Sequence, residues 1–581
     1  MIKFDFDKIL YHRPYFKSRG IPIESIIGID TETYTDGKPF LICTSLGDAF
    51  RPKQFPRCLF SRRYRGKNFG CWNLKFDSGS FIHRLDRGER EALAEFGKVK
   101  HGKYIYRYIP HKYLGISKGK HAVKFWDINH FFGMTLQSAA VEYLKKSKIE
   151  IETKNFTRAY VKYHRREITV YCIQDAVLVS ELYIYLLDGL KQIGLTPTSL
   201  YSKGSLAFQF LKSRCKMVGV YRYWKRYREL LRFACESYYG GKFEIYRRGR
   251  FNGISYDISS AYPFEMSQLY DINNARVVYS KILCPDADYG FLRVLIDNTL
   301  AVGVPSPLKY KNLNIFPAGI FKNTITLAEY NYMVSLGLKL KHLEGYYLYV
   351  DSKRRPYKKI IDYLYDQKTL NKDTDLRLYD LYKKMLNSIY GKQIQMIEQP
   401  DGSIKAGQGW NPIYASVITA NVRIRVTQVY NDNPNNVLSI HTDGVIMDAP
   451  LDNRLIGRQI GSWTQDHQGD GVVIACGMYQ IGQDSRYRGL HMDNDNTWFD
   501  ILGRSGKLQV LEIQQVISTS WKMALARGDI TLTNTFSCDK KEINLNCERK
   551  RVWPGPVDAW TLLNESQISY PRLITPDVFW A

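Results

Sequence analysis

The chain has 581 residues, 44% of them hydrophobic and 14% aromatic, and a formal net charge of +26. That length exceeds one compact core and calls for several structural units, while the apolar content excludes an intrinsically disordered chain. A folded chain this basic calls for a polyanionic partner. Lysine and arginine gain affinity by releasing counterions from phosphates, and abundant aromatic rings offer stacking faces to bases.

The ten cysteines stand singly, at 43, 58, 71, 172, 215, 235, 284, 476, 538 and 547. No C-x-x-C pair occurs, which argues against a zinc ribbon, and thiols this sparse fit a reducing, intracellular setting. The N-terminus, MIKFDFDKIL, lacks the apolar core of a signal peptide. No run of about 18 apolar residues is seen, so no membrane span is expected.

In chain order, SIIGIDTETY (25–34) reads as a strand with Asp30 and Glu32 at period two. KNFGCWNLKFDSGSFIHRL (67–85) reads as strand, turn, helix, and 166–194 as a long helix ending in glycine. These blocks form one α/β domain. FNGISYDISSAYPFEM (251–266) reads as a strand ending in a proline-bearing turn, 270–350 as short strands, and 355–392 as a helical pair. A helix follows Pro412, and SIHTDGVIM (439–447) is a strand with an Asp-Gly turn.

Alternation places Asp30 and Glu32 on one side of their strand, a geometry that suits Mg²⁺, which prefers hard oxygen ligands. Asp77 follows in NLKFD, and Tyr171 and Asp175 fall on one helix face at i and i+4. Four acids and a tyrosine around one strand suit a two-metal phosphodiester hydrolase, with Tyr171 placed to orient a water. In KKMLNSIYG (383–391), Lys383, Asn387 and Tyr390 form one helical stripe. It offers a point charge for a triphosphate, a flat face for a base, and Gly391 for close backbone approach.

D-x-E, N-x-x-F-D and Y-x-x-x-D, in this order, resemble the three exonuclease motifs of family B DNA polymerases, and NLKFD resembles their protein-primed branch of small phages and linear plasmids. The resemblance implies an α/β multidomain chain: an RNase H-like 3′–5′ exonuclease domain (1–190) followed by a right-hand polymerase domain (191–581). The latter divides into palm (191–269 and 411–520), a priming-protein-docking insertion (270–350), fingers (351–392), a shortened second insertion (393–410) and thumb (521–581).

The resemblance assigns single-strand contacts to Asn73, Phe76, Thr135 and Leu136, and a catalytic-site lysine to one of Lys145, Lys146 and Lys148. Asp257, in YDISSAYP, is similar to the first polymerase motif. By that likeness Asp257 binds both metals, Ser260 contacts the triphosphate and Tyr262 is the steric gate against a ribose 2′-OH; Ala261 stands where the family has leucine. Lys383, Asn387 and Tyr390 would bind the nucleotide, with Lys368 or Lys372 adding a second triphosphate contact. Tyr238, Gly240 and Gly241 resemble the Y-x-G-G linker that passes the template, and Thr419 and Arg423 share a helix face before the third motif.

Asp443 is that motif's second aspartate, but His441 replaces the first. Gly477-Met478-Tyr479 stands where the family has K-x-Y, so Tyr479 loses its lysine, and Arg488 is the candidate substitute. Asp257 and Asp443 would hold one pair of Mg²⁺ or Mn²⁺ ions, and Asp30, Glu32, Asp77 and Asp175 a second pair. The implied partners are primer-template DNA, dNTPs and a separate terminal priming protein, with the chain a monomer. Where the resembled branch has its second insertion, residues 393–410 leave room only for a short hairpin, with PDGS as its turn, and the resemblance then implies weaker intrinsic processivity or strand displacement than is usual for that branch. Two rival readings are a nuclease with a decayed polymerase centre and a non-catalytic single-strand-binding protein.

Overall fold

The computed structural model describes residues 6–11, 20–399, 402–490 and 497–575. Two large sheets organise the molecule. In the N-terminal domain, strands β1 (Ile26–Thr33), β2 (Pro39–Thr44), β3 (Asn68–Cys71) and β4 (His121–Asp127) belong to one eight-stranded sheet. β1 and β4 flank β3 in parallel, while β2 lies antiparallel to β1. Helix α1 (Leu74–Phe81) starts directly after β3. The buried Asp127 carboxylate accepts the Leu74 N–H, satisfying one of the amides that a helix start leaves unpaired.

Helix α2 (Arg165–Gln192) lies across β1. Its approach is close: a Cβ at Gly28 would stand 1.8 Å from the Ala176 carbonyl oxygen. By length and composition alone α2 could cross a membrane, although charged and polar residues interrupt its apolar run. Its buried side, from Ile168 through Leu190, is nevertheless the core layer of this domain.

The second sheet is built from β5 (Lys242–Ile245) and β6 (Arg247–Ile258), with helix α3 (Ala261–Gln268) following β6. The expected proline turn is absent. Ser260 makes the reversal in the left-handed region (φ 52°), and Pro263 sits inside the first turn of α3, where a missing N–H costs nothing. Residues 276–349 supply four strands of a separate five-stranded sheet, Arg276–Ser280, Tyr289–Asn298, Ala318–Thr326 and Lys339–Tyr349, and Leu573–Ile574 adds the fifth, parallel to Ala318–Thr326. Helices α4 (Lys358–Leu370) and α5 (Leu376–Ser388) pack as an antiparallel pair. Tyr143 of the N-terminal domain donates to Asp380 of α5 at 2.6 Å.

A short hairpin, Met396–Glu398 with Ile404–Ala406, follows; Pro400 and Asp401 of the expected turn lie outside the described residues. The segment Ile9–Leu10 pairs with this hairpin rather than joining the N-terminal domain. Helix α6 (Pro412–Asp432) is buried along most of its length. The sheet is completed by β7 (Val437–Thr442), β8 (Gly444–Met447), β9 (Trp463–Ala475), β10 (Met478–Ile481) and β11 (Asp484–Tyr487), in the antiparallel order β5-β7-β8-β6-β9-β10-β11.

A boundary at residue 520 does not hold. Strand β12 (Val510–Ser518) and strand β13 (Phe536–Asn544) form one continuous ribbon, so a cut between them would break nine backbone pairs. The ribbon's tip carries the helix Trp521–Ala526, and Trp521 is fully buried in the core of the N-terminal domain. Trp521 Nε1 donates to Ser78 Oγ at 3.1 Å, and Asn534 Nδ2 to the Phe76 carbonyl at 3.2 Å. The chain then returns to the second sheet, where Ser566–Ile568 pairs with β6.

Candidate active sites

Strand alternation brings Asp30 and Glu32 to one side of β1, as expected, and α2 adds Tyr171 and Asp175 from above. Asp77, on α1, accepts the Thr31 hydroxyl at 2.8 Å. Burial, then the Asp175 carboxylate, push Asp30 up to about 7, and burial and neighbouring acids raise Glu32 and Asp77. Such crowding of hard oxygen donors fits divalent cations. Of the three lysines, Lys148 is the one that lies beside these acids. Lys148 Nζ stands 2.5 Å from Asp175 Oδ2 and 4.7 Å from the centre of the Tyr171 ring, whereas Lys146 pairs with Glu181 and Lys145 caps the Glu142 carbonyl. Thr135 is the N-cap of a short helix, accepting the Ser138 N–H, and Leu136 is buried beneath it. Asn73 is exposed beside α1, with Phe76 partly so.

The second centre lies on the other sheet. Asp257 of β6 pairs with Gly444 of β8, which sets Asp257 beside the β7–β8 turn that carries Asp443. The hairpin differs from the Asp-Gly turn expected. Its two loop residues are Thr442 and Asp443, with His441 paired to Gly444. Thr442 adopts φ 62°, an unfavourable conformation for a β-branched residue. Its hydroxyl donates to Asp443 Oδ1 at 2.6 Å. Gly444 serves space rather than turn conformation: a Cβ there would stand 1.9 Å from Asp257 Oδ1. Loss of hydration in the cleft, then Asp443 and Asp466, push Asp257 up to about 7.

Asp466 was not expected here. Register places Ser255 opposite His467 and Tyr256 opposite Gln465, so Asp466 is the extra residue of a β-bulge, turned into the Asp257 cleft. His441 also lines this cleft. Its Nε2 meets Ser439 Oγ at 2.9 Å, its buried Nδ1 has no partner, and burial lowers it to about 3, so the imidazole is neutral.

Tyr479 lies over the His441 ring at 4.7 Å. Arg488, expected to replace the missing lysine, instead donates to the Cys476 carbonyl and lies over Phe243, because Gly477 turns the hairpin back under it. The cation in the cleft is Arg486, paired across strands with Tyr479 and held by Asp484 at 3.0 Å.

Above the sheet, Tyr262 of α3 stacks on Tyr390 with centroids 4.4 Å apart and planes within 9°. Lys383 and Asn387 are exposed on one stripe of α5, and Lys372 is exposed in the turn between α4 and α5. Burial, then the charges of Lys383 and Lys372, lower Lys368 to about 8. Three ammonium groups held this closely suit a polyphosphate.

Ser259 ties α4 to the sheet through Tyr365 OH at 3.1 Å. The Tyr238–Gly241 loop is fixed by Arg423, which is fully buried, paired with Glu329 at 2.7 Å and bonded to the carbonyls of Tyr239 and Gly240. Thr419 is buried on the same helix. A Cβ at Gly241 would stand 2.7 Å from Tyr262 OH, whereas one at Gly240 or Gly391 meets no protein atom, so packing requires only the first of these glycines.

The described residues have the architecture of an exonuclease domain joined to palm, fingers and thumb. Phi29 DNA polymerase bound to primer-template DNA superposes with a TM-score of 0.63 at 14% identity, covering 89% of this chain and 100% of that one. Its complex with primer-template DNA and incoming nucleotides gives 0.62, at 14% identity, over 90% and 99%. The family model for DNA polymerase type B, organellar and viral, matches residues 113–407, half of the chain, and the chain belongs to that family.

The DNA polymerase of Acidianus bottle-shaped virus (isolate Italy/Pozzuoli) is 30% identical over 275 residues, which are 44% of this chain and 40% of that protein. A probable DNA polymerase of Neurospora intermedia is 22% identical over 366 residues, 52% of this chain and 36% of that one. The matched segments thus span well under half the length of these curated relatives.

Proposed function

We propose that this chain is a template-directed DNA polymerase with a proofreading 3′–5′ exonuclease, acting on primer-template DNA and dNTPs inside a host cell. The observation that carries the reading is two carboxylate centres of different build in one chain, each beside its own cations. Mg²⁺ or Mn²⁺, two per centre, would supply Lewis acidity and charge neutralisation.

The chain's own groups do the rest. In the palm, Asp257 presents its carboxylate from a strand end and Asp443 from the neighbouring hairpin turn, with Asp466 beside them. Lys368, Lys372 and Lys383 face the triphosphate, and the stacked Tyr262–Tyr390 pair forms a rigid floor for sugar and base. Arg486 offers the primer strand a cation. In the exonuclease centre, Lys148 neutralises Asp175, and Tyr171 stands where an attacking water needs orientation.

Residues 270–350 are read as the insertion that docks a separate priming protein, a reading supported by the separate sheet that this segment builds. The decayed-polymerase alternative is disfavoured by the retained lysines of the helix pair, Lys368, Lys372 and Lys383, beside the retained Asp257 and Asp443. The test is a primer with a mismatched 3′ end, annealed to a template and incubated with the protein, Mg²⁺ and dNTPs. Removal of the mismatch followed by extension is expected; neither would overturn the proposal.

A further inference from the structure

The exonuclease centre contains a donor that two-metal chemistry does not use. Cys172 Sγ and the carboxylate oxygens of Asp30 and Glu32 all lie within 4.8 Å of one another. Cys172 is completely buried on α2, between Tyr171 and Asp175 in sequence, and its thiol donates weakly to the Asp30 carbonyl at 3.7 Å. A second observation points the same way. Asp175 is 3% exposed, and while its Oδ2 takes Lys148, its Oδ1 is buried without a partner beside Asp30 and Glu32. Two carboxylates and one sulfur therefore converge from one strand and one helix, with the Asp175 carboxylate on the same helix held by Lys148.

We propose that Cys172 makes this centre a mixed oxygen–sulfur site that captures thiophilic divalent ions, Zn²⁺ foremost, in place of the ions that support hydrolysis. The inference rests on reading the centre as a metal site. Mg²⁺ takes oxygen ligands and leaves a thiol protonated. Zn²⁺ takes thiolate at about 2.3 Å and carboxylate at about 2.0–2.2 Å, which places ligand atoms roughly 3.5 Å apart in a tetrahedron. Small side-chain adjustments bring this set onto one ion. As the metal–sulfur bond forms, the Cys172 proton passes to solvent and a metal-bound water leaves. Borderline ions also bind N, O and S sets more tightly than Mn²⁺ does. Among the described residues, no cysteine lines the Asp257 cleft. Zinc thus silences proofreading at concentrations where synthesis continues.

The test uses the full chain. One equivalent of Co²⁺ is added to wild type, Cys172→Ala and Cys172→Ser, and the near-ultraviolet sulfur-to-cobalt charge-transfer band is recorded. Zinc inhibition of single-strand degradation is then titrated, each variant relative to its own zinc-free rate in Mg²⁺. The wild type is expected to show the band and both variants to lose it. Zinc inhibition should weaken at least about 10-fold, since even outer-shell partners of a metal are worth that much. Equal bands and equal zinc sensitivity in all three would overturn the proposal.

X-ray absorption of the wild type with one equivalent of Zn²⁺ needs no variant. A sulfur neighbour at about 2.3 Å is expected, and a shell of oxygen and nitrogen alone would contradict it. Absence of any Mg²⁺- or Mn²⁺-dependent degradation by the wild type would instead defeat the underlying reading of the centre.

Discussion

The two carboxylate centres solve one problem in opposite ways. The N-terminal centre is closed: Glu32, Asp77 and Asp175 are buried, and Lys148 is fixed against one of them. The palm centre is an open cleft in which Asp257 is exposed, and its neighbours arrive through backbone irregularities: a left-handed Thr442, a left-handed Ser260 and the bulge at Asp466. The difference fits their proposed tasks. A hydrolytic site admits one strand end and a water, whereas a synthetic site admits a duplex terminus and a triphosphate. Strain at the open site is held by surrounding contacts, notably the Thr442–Asp443 bond and the space left at Gly241 and Gly444.

Four measurements break or sharpen this contrast. The largest effect is expected from Lys383→Ala, which should raise the KM for dNTPs about 10- to 100-fold, the roughly 1.5–3 kcal/mol of a charge-assisted contact, while leaving single-strand degradation unchanged. Steady-state incorporation assays read this directly, and a parallel loss of degradation would show that the centres are not separable. Next, Arg486→Ala should lower primer extension about 10-fold and Arg488→Ala by less than about 3-fold, because only the former faces the cleft. The reverse order would return the primer contact to Arg488.

The third measurement is thermal. Asp30 is raised in the folded protein from 3.8 to about 7, and Asp257, raised likewise but open to solvent, adds a smaller effect of the same sign. Between those values the unfolded chain has released the protons that the folded chain keeps, so metal-free stability falls as pH rises through this window. The melting temperature without metal should drop from pH 5 to pH 8, with Mg²⁺ restoring it at pH 8. A flat profile would mean that the carboxylates are better solvated than their setting implies. The smallest effect is expected at His441. His441→Asp places a carboxylate near Lys550 and Arg488, which lower the histidine, and extension should stay within about 3-fold of wild type by the same assay. A large loss would give the neutral imidazole a role of its own.

Much of this was legible in the sequence wherever the signal is local. Asp30 and Glu32 on one strand face, Tyr171 and Asp175 on one helix face, and the Lys383–Asn387–Tyr390 stripe follow from periods of 2 and 3.6. The contrast between the centres was not legible, because it depends on long-range register. Asp466 enters through one extra residue in β9, and Arg486 replaces Arg488 through pairing with Tyr479. Lys148 was one of three candidates until its distance to Asp175 separated it. The Asp-Gly turn misled because a glycine needed for space beside Asp257 looks, in sequence, like a glycine needed for a turn. Burial of Trp521 in a core formed by residues 27–125 leaves no local trace at all.

The central claim is that one chain carries two separable metal-dependent centres. It is tested most directly with two variants, Asp257→Ala and the double variant Asp30→Ala with Glu32→Ala, assayed for primer extension and for single-strand degradation. The account predicts that Asp257→Ala loses extension by about 10³-fold, roughly 4 kcal/mol of barrier, and keeps degradation, and that the double variant does the opposite. Loss of both activities in either variant, or extension that survives Asp257→Ala, would contradict it.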